Sequence, residues 1–282
     1  MPSLWNRRQF LTLLGGSALL PSACQKVESR PAQRAASFTI FDGLIYDQKP
    51  NAGLKPIRVD DRGFWKNKDD RSQPDREACQ QNARAAAGQF SHFVIDIEHW
   101  KVNINQDPKA EVQQSIDKLL QVIEWMREAA PSLKLGVYSI PPIRDYWTPV
   151  RNLPGGRSGW RTANQFLKPI ADASDFLAPS LYTFYTDIPG WVTYASANIE
   201  EAQQFGKPVY PFLWCRYHIS NRERRNQFIA GDYWRTQLET VRDRGANGLV
   251  LWDWAGHDEP RTNVLDTQQA WWQETVKFKA AL

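Results

Sequence analysis

Two carboxylates, Asp96 and Glu98, stand two residues apart at the end of the apolar run FVIDIEHW, 93–100. Side chains alternate faces along a strand, so residues at i and i+2 point the same way. Two acids side by side at the mouth of a buried strand repel each other and resist losing their water. Both effects favour the neutral form and raise at least one pKa, which suits a carboxyl to donate a proton. A proton-donating carboxyl beside a second carboxylate is the equipment that glycoside hydrolysis requires. The competing reading of the same octamer is a pair of solvated acids at an exposed strand end.

Such a pair needs a frame, and the chain alternates short apolar stretches with amphipathic ones. Strands are expected at 37–46, 93–98, 133–140, 175–182, 207–217 and 247–254. Helices are expected at 75–90, 110–130 (stopped by Pro131), 162–173 (with a kink at Pro169), 198–206 (closed by Gly206), 233–245 (closed by Gly245) and from about 267 onward. Repeated β-α units make a parallel sheet. At this length the closed form is an α/β fold, a (β/α) TIM-like barrel of seven or eight parallel strands in a single domain. An open doubly wound sheet is the alternative, but no Gly-rich phosphate fingerprint follows the first strand. Barrel chemistry gathers at the carboxyl ends of the strands. There the chain places Asp96, Glu98, Tyr138, Tyr182, Tyr185, Trp214, Trp252, Asp253 and Trp254.

The 13 Trp residues suit a groove in which a few rings stack on apolar faces, including those of sugars. A net charge of +4 spread along the chain forms no basic stripe, so nucleic acid is not expected as a partner. The four His are scattered and no Cys/His spacing suggests a metal; neither metal nor cofactor is expected. Cys79 and Cys215 could pair in an exported protein, but nothing in the sequence decides it.

Residues 1–24 read as a twin-arginine export signal, with Arg7-Arg8 followed by LTLLGGSALL, which is too short to span a membrane. Pro21-Ser22-Ala23-Cys24 resembles a lipobox with Cys24 as the lipidated residue; simple cleaved export is the alternative. Residues 25–37 form a polar tether and 38–282 the barrel domain, about 245 residues and ample for one core. The expected location is the periplasm or cell envelope, with membrane contact only through the lipid anchor.

The ordered series VIDIEHW (94–100), LKLGVYSIPP (133–142), LAPSLY (177–182), KPVYPFLWCRYH (207–218) and GANGLVLWDW (245–254) resembles the hyaluronidase family of glycoside hydrolases. The resemblance covers roughly residues 90 to 255. The chain departs from the family at Pro142, where an acid is expected, at Arg144, where an aromatic is expected or is displaced to Tyr146, and in lacking counterparts of the family cysteines. A distant bacterial relative is therefore implied. The resemblance further implies a retaining, substrate-assisted reaction on an N-acetylhexosamine-containing glycan. Glu98 would be the acid and base, and Asp96 would hold the acetamido nitrogen. Tyr182 would hydrogen-bond the oxazolinium, and Trp252 would form the floor beneath the sugar. Tyr138, Tyr146, Tyr210, Trp214 and Asp253 complete the candidate substrate-binding set.

Two other readings stay open. Lysozyme-like barrels that cut peptidoglycan also carry a D-x-E strand, and Asp42 and Asp47 in the first-strand region keep that possibility. A non-catalytic, envelope-anchored glycan binder would keep the aromatic floor and have no need of a buried Glu98.

Overall fold

The computed structural model describes residues 38–254 and 263–282. The expected export signal, Cys24 and the tether lie outside the described residues. The described residues belong to one compact unit.

The most apolar stretches become the strands at the centre. β1 (Thr39–Ile45) runs parallel to β7 (Gly248–Trp254) over its full length, with Thr39 opposite Gly248 and Ile45 opposite Trp254. β6 (Phe212–Trp214) pairs with the other edge of β7. A second parallel group sets β4 (His92–Ile95) between β3 (Arg58–Asp60) and β5 (Lys134–Val137).

Two seams join these groups. Residues 177–183 bridge both β5 and β6, Ala178 pairing with Tyr138 and Ser180 with Phe212. On the opposite side, β2 (Lys55–Pro56) and β3 are one stretch of chain whose first half pairs with β1 and whose second half pairs with β4. The parallel pairings therefore run round a ring of seven segments, the arrangement of a (β/α) barrel. Residues 175–182 make only isolated bridges rather than the expected strand. Pro179 lacks the N–H that a continuous ladder needs there. The closing stretch 55–60 carries Lys55, Pro56 and Arg58 and buries only Ile57 and Asp60, so no apolar alternation betrays it.

Helices cover the ring. α1 (Arg76–Ala87) starts on Asp75, whose side chain accepts from the Ala78 N–H. α2 (Lys109–Ala129) buries Val112, Ile116, Leu119, Ile123 and Met126, a single stripe at three- and four-residue spacing. α3 (Trp147–Arg151) is a single short turn of helix. The expected helix over 162–173 is two, α4 (Gly156–Phe166) and α5 (Lys168–Ala173), because Pro169 can open a helix but not continue one. α6 (Ile188–Gln203) begins ten residues before the expected start, capped by the Asp187 carboxylate on the Gly190 N–H. α7 (Gly231–Asp243) and α8 (Ala270–Ala280) complete the set.

Burial alternates through β4. Phe93, Ile95 and Ile97 pack into the cluster that holds the buried faces of α1 and α2, whereas Val94 packs into the other main cluster with Phe41, Tyr138 and Phe212. Strand pairing ends at Ile95, but the Asp96 N–H still donates to the Asp60 carbonyl at 3.0 Å, so the extended path persists. Asp96 and Glu98 thus leave the chain on the Val94 side. Cys79 and Cys215 are buried free thiols in separate clusters.

Candidate active site

Asp96 and Glu98 both line a cavity of ≈ 190 Å³ at the carboxyl ends of the strands, together with Tyr138, Tyr182, Trp214, Trp252 and His218. Burial and the neighbouring charge of Glu98, with smaller contributions from Asp61 and Asp60, push the Asp96 carboxyl up to about 7. Among the described residues, the buried Asp96 Oδ1 has no hydrogen-bond partner. An acceptor oxygen in that position costs free energy unless a donor reaches it. Glu98 reaches solvent, yet the surrounding walls strip enough water from it to raise its pKa, against the opposing pull of the Arg144 guanidinium. The charge of Glu98 is thus felt at Asp96, and both carboxyls are held above their ordinary values.

Aromatic rings supply the walls. Tyr182 stacks on Trp252 with ring centroids 5.8 Å apart and planes at 29°, and Trp214 meets Trp252 edge-on at 5.1 Å. Offset-stacked and edge-on pairs are the favoured arrangements and hold one another in place. The Tyr138 hydroxyl donates to Ser180 Oγ at 3.0 Å. Burial, Tyr138 and the two carboxylates raise the Tyr182 pKa well above the ordinary phenol value, so its hydroxyl remains a donor.

The predicted set divides. Asp96, Glu98, Tyr138, Tyr182, Trp214 and Trp252 come together. Asp253 does not face the cavity as a substrate contact: it is fully buried beneath it. Its carboxylate accepts from Arg216 Nε at 2.9 Å, from Trp214 Nε1 at 2.9 Å and from the Tyr46 hydroxyl at 2.5 Å. It therefore positions the Trp214 wall. Tyr210 precedes β6 and sits at the amino ends of the strands, beside His92, Lys134 and Phe176, far along the barrel from the acids. Its strand runs away from it toward the site, so a position before the strand cannot reach the carboxyl end. Tyr146 is buried behind the site against Tyr194 and Tyr185, its hydroxyl pushed up to about 12 by burial and Asp187. Asp42 is tied to Lys49 at 2.8 Å and does not line the cavity.

Two residues complete the site that strand periodicity did not single out. His218, just beyond β6, contacts the rings of Tyr182, Phe184 and Trp214, and burial with Arg144 holds it neutral with a pKa of about 4. It ends the KPVYPFLWCRYH stretch, which was the available signal. Arg144 lies in the loop after β5, its guanidinium 5.3 Å over the Phe184 ring. With Glu98, Tyr138, Ile143 and Lys101 it lines a second, open cavity of ≈ 410 Å³. Glu98 thus stands at the junction of an aromatic cavity and a polar groove.

No family model matches the chain, and no curated protein matches its sequence. Its fold is similar to that of bee venom hyaluronidase, with a TM-score of 0.59 and 14% identity over 87% of this chain and 97% of that one. The same venom enzyme in complex with a hyaluronic acid tetramer gives a TM-score of 0.58 and 15% identity over 87% and 96% of the two chains. At this identity the likeness is one of fold.

Proposed function

We propose that this chain is a glycoside hydrolase that cleaves an N-acetylhexosamine linkage with retention, the substrate's own acetamido group serving as nucleophile. The observation that carries this reading is the Asp96 carboxylate. It lies two residues from Glu98, lines the aromatic cavity, and offers a buried oxygen, Oδ1, without a protein partner among the described residues. An amide N–H at C2 of a bound sugar would supply the missing donor.

In the first step Glu98, neutral at the start, gives its proton to the glycosidic oxygen as the C1–O bond breaks. The acetamido oxygen closes on C1, and the charge that develops on the ring nitrogen is met by Asp96. Tyr182 donates to the same group, and Trp252 covers the apolar face of the sugar. In the second step the Glu98 carboxylate takes a proton from water, the water oxygen forms the new bond to C1, and the acetamido group is restored. Two displacements at one carbon give net retention. This is the recognised exception to the rule that a second enzymic carboxylate attacks. Burial raises the Glu98 pKa and so favours the neutral form that a general acid requires.

Comparison of an N-acetylated oligosaccharide with its de-N-acetylated counterpart tests the nucleophile. Turnover of the first alone is expected. Equal turnover of both removes the acetamido group from the mechanism.

A further inference from the structure

Trp147, which opens α3, and Tyr185, on the loop before α6, are large aromatic residues left 42% and 38% exposed beyond the carboxyl ends of the barrel. Their ring centroids lie 4.9 Å apart at 51°. The pair is held rather than loose. Asp145 binds the backbone N–H and hydroxyl of Thr148 at 2.8 and 2.6 Å, fixing the start of α3. Arg151, one helical turn after Trp147, lies 4.3 Å over its ring. Tyr146, buried beneath, touches Trp147 at 5.0 Å and Tyr185 at 4.7 Å.

The pair is continuous with the acid site. Phe184 precedes Tyr185; its ring lies 4.7 Å from His218, which lines the cavity of Asp96 and Glu98, and beneath Arg144, which lines the groove beside Glu98. Arg144, which shares a cavity with Glu98, therefore packs on Phe184, and Phe184 in turn on Tyr185 of the exposed pair. Held, partly exposed aromatic rings beside such a site, with the Arg151 guanidinium against Trp147, suit the apolar faces and hydroxyls of sugars.

We propose that Trp147 and Tyr185 form a distal subsite on which further sugars of a polymeric glycan stack while its scissile bond lies at Glu98. The inference rests on the hydrolase reading and narrows it: the substrate is a long chain, and short fragments forgo part of the binding surface.

The test compares wild type, the Trp147→Ala/Tyr185→Ala double variant and Trp147→Phe on hyaluronan and on N-acetylglucosamine oligomers from trimer to octamer. Affinity electrophoresis through hyaluronan and chitin-derivative gels runs alongside. The double variant is expected to raise KM for the long substrates about tenfold, the equivalent of about 1.4 kcal/mol. It should leave trimer kinetics and the melting temperature unchanged, and Trp147→Phe should keep most of the affinity. Equal kinetics of wild type and double variant on all lengths overturn the subsite, as does a loss that is the same on trimer and octamer. A wild-type dimer in sedimentation that the double variant dissolves assigns the rings to a second copy and overturns it too. Ring-dependent gel retardation without turnover of any glycan would leave the subsite standing and sink the hydrolase reading. Turnover without length dependence would do the reverse.

Discussion

Asp96 and Glu98 owe their chemistry to position as much as to identity. Alternation along the extended chain sends both toward the aromatic cavity while Ile97 between them anchors the backbone in the helix-covered cluster. Arg144 adds the control: its positive charge stabilises ionised Glu98 and so opposes the desolvation that raises that acid's pKa. Replacing Arg144 with Gln removes the opposition. The pH at which kcat/KM falls on the alkaline side, where the acid loses its proton, should move upward. A profile that keeps its alkaline limb in place would separate Arg144 from Glu98. That the acid pair and the rings of Tyr182, Trp214 and Trp252 meet at one end of the barrel was readable in the sequence, because spacing and strand position suffice to place them there. Arg144 was not, because the loop that returns it to Glu98 follows no periodicity. Asp253 illustrates the opposite failure: an acid at a strand end reads as exposed until Arg216, Trp214 and Tyr46 are seen to converge on it.

At the scale of elements, β6 and β7 carry a buried ion pair across their junction, Arg216 with Asp253, both almost wholly removed from solvent. Breaking such a pair from one side strands a charge, at a cost of about 3–5 kcal/mol. Arg216→Met should therefore lower stability by about that amount in urea or thermal unfolding, and combining it with Asp253→Leu should return part of the loss. Equal stability of the single variant and wild type would mean that the pair does not hold this junction. Strands β1, β4, β5, β6 and β7 were visible as apolar runs. The closing stretch 55–60 was not, because it meets its neighbours through backbone pairing and carries mostly charged or exposed side chains. The early start of α6 was also hidden: Ile188-Pro189-Gly190 looks like a turn, and Asp187 converts it into a capped helix start.

For the whole molecule, the acid pair sets a pH dependence of stability opposite to that of a salt-bridged carboxylate. The Asp96 pKa is about 7 in the folded chain, against about 3.9 for an unfolded aspartate. Between those values the native state binds more protons than the unfolded one, so stability present below pH 4 is lost as pH rises toward 7. Asp96→Asn deletes this titration. Its melting temperature should match wild type near pH 4 and exceed it at pH 8, by about 2–4 °C for each kcal/mol of strain relieved. A wild-type advantage at pH 8 would show that the charged form is stabilised in the fold rather than penalised. The barrel as a whole places both acids at the carboxyl ends of its strands, lining one aromatic cavity, which is what the proposed hydrolase reading requires. Mass spectrometry of new reducing ends from chitooligosaccharides, hyaluronan, chondroitin and peptidoglycan tests this most directly, with Glu98→Gln measured beside wild type. A hydrolase acting through Glu98 releases products from at least one of these glycans as wild type and loses nearly all turnover, about 100-fold or more, as Glu98→Gln with the fold intact. Comparable product from the variant, or none from wild type on any of them, contradicts it.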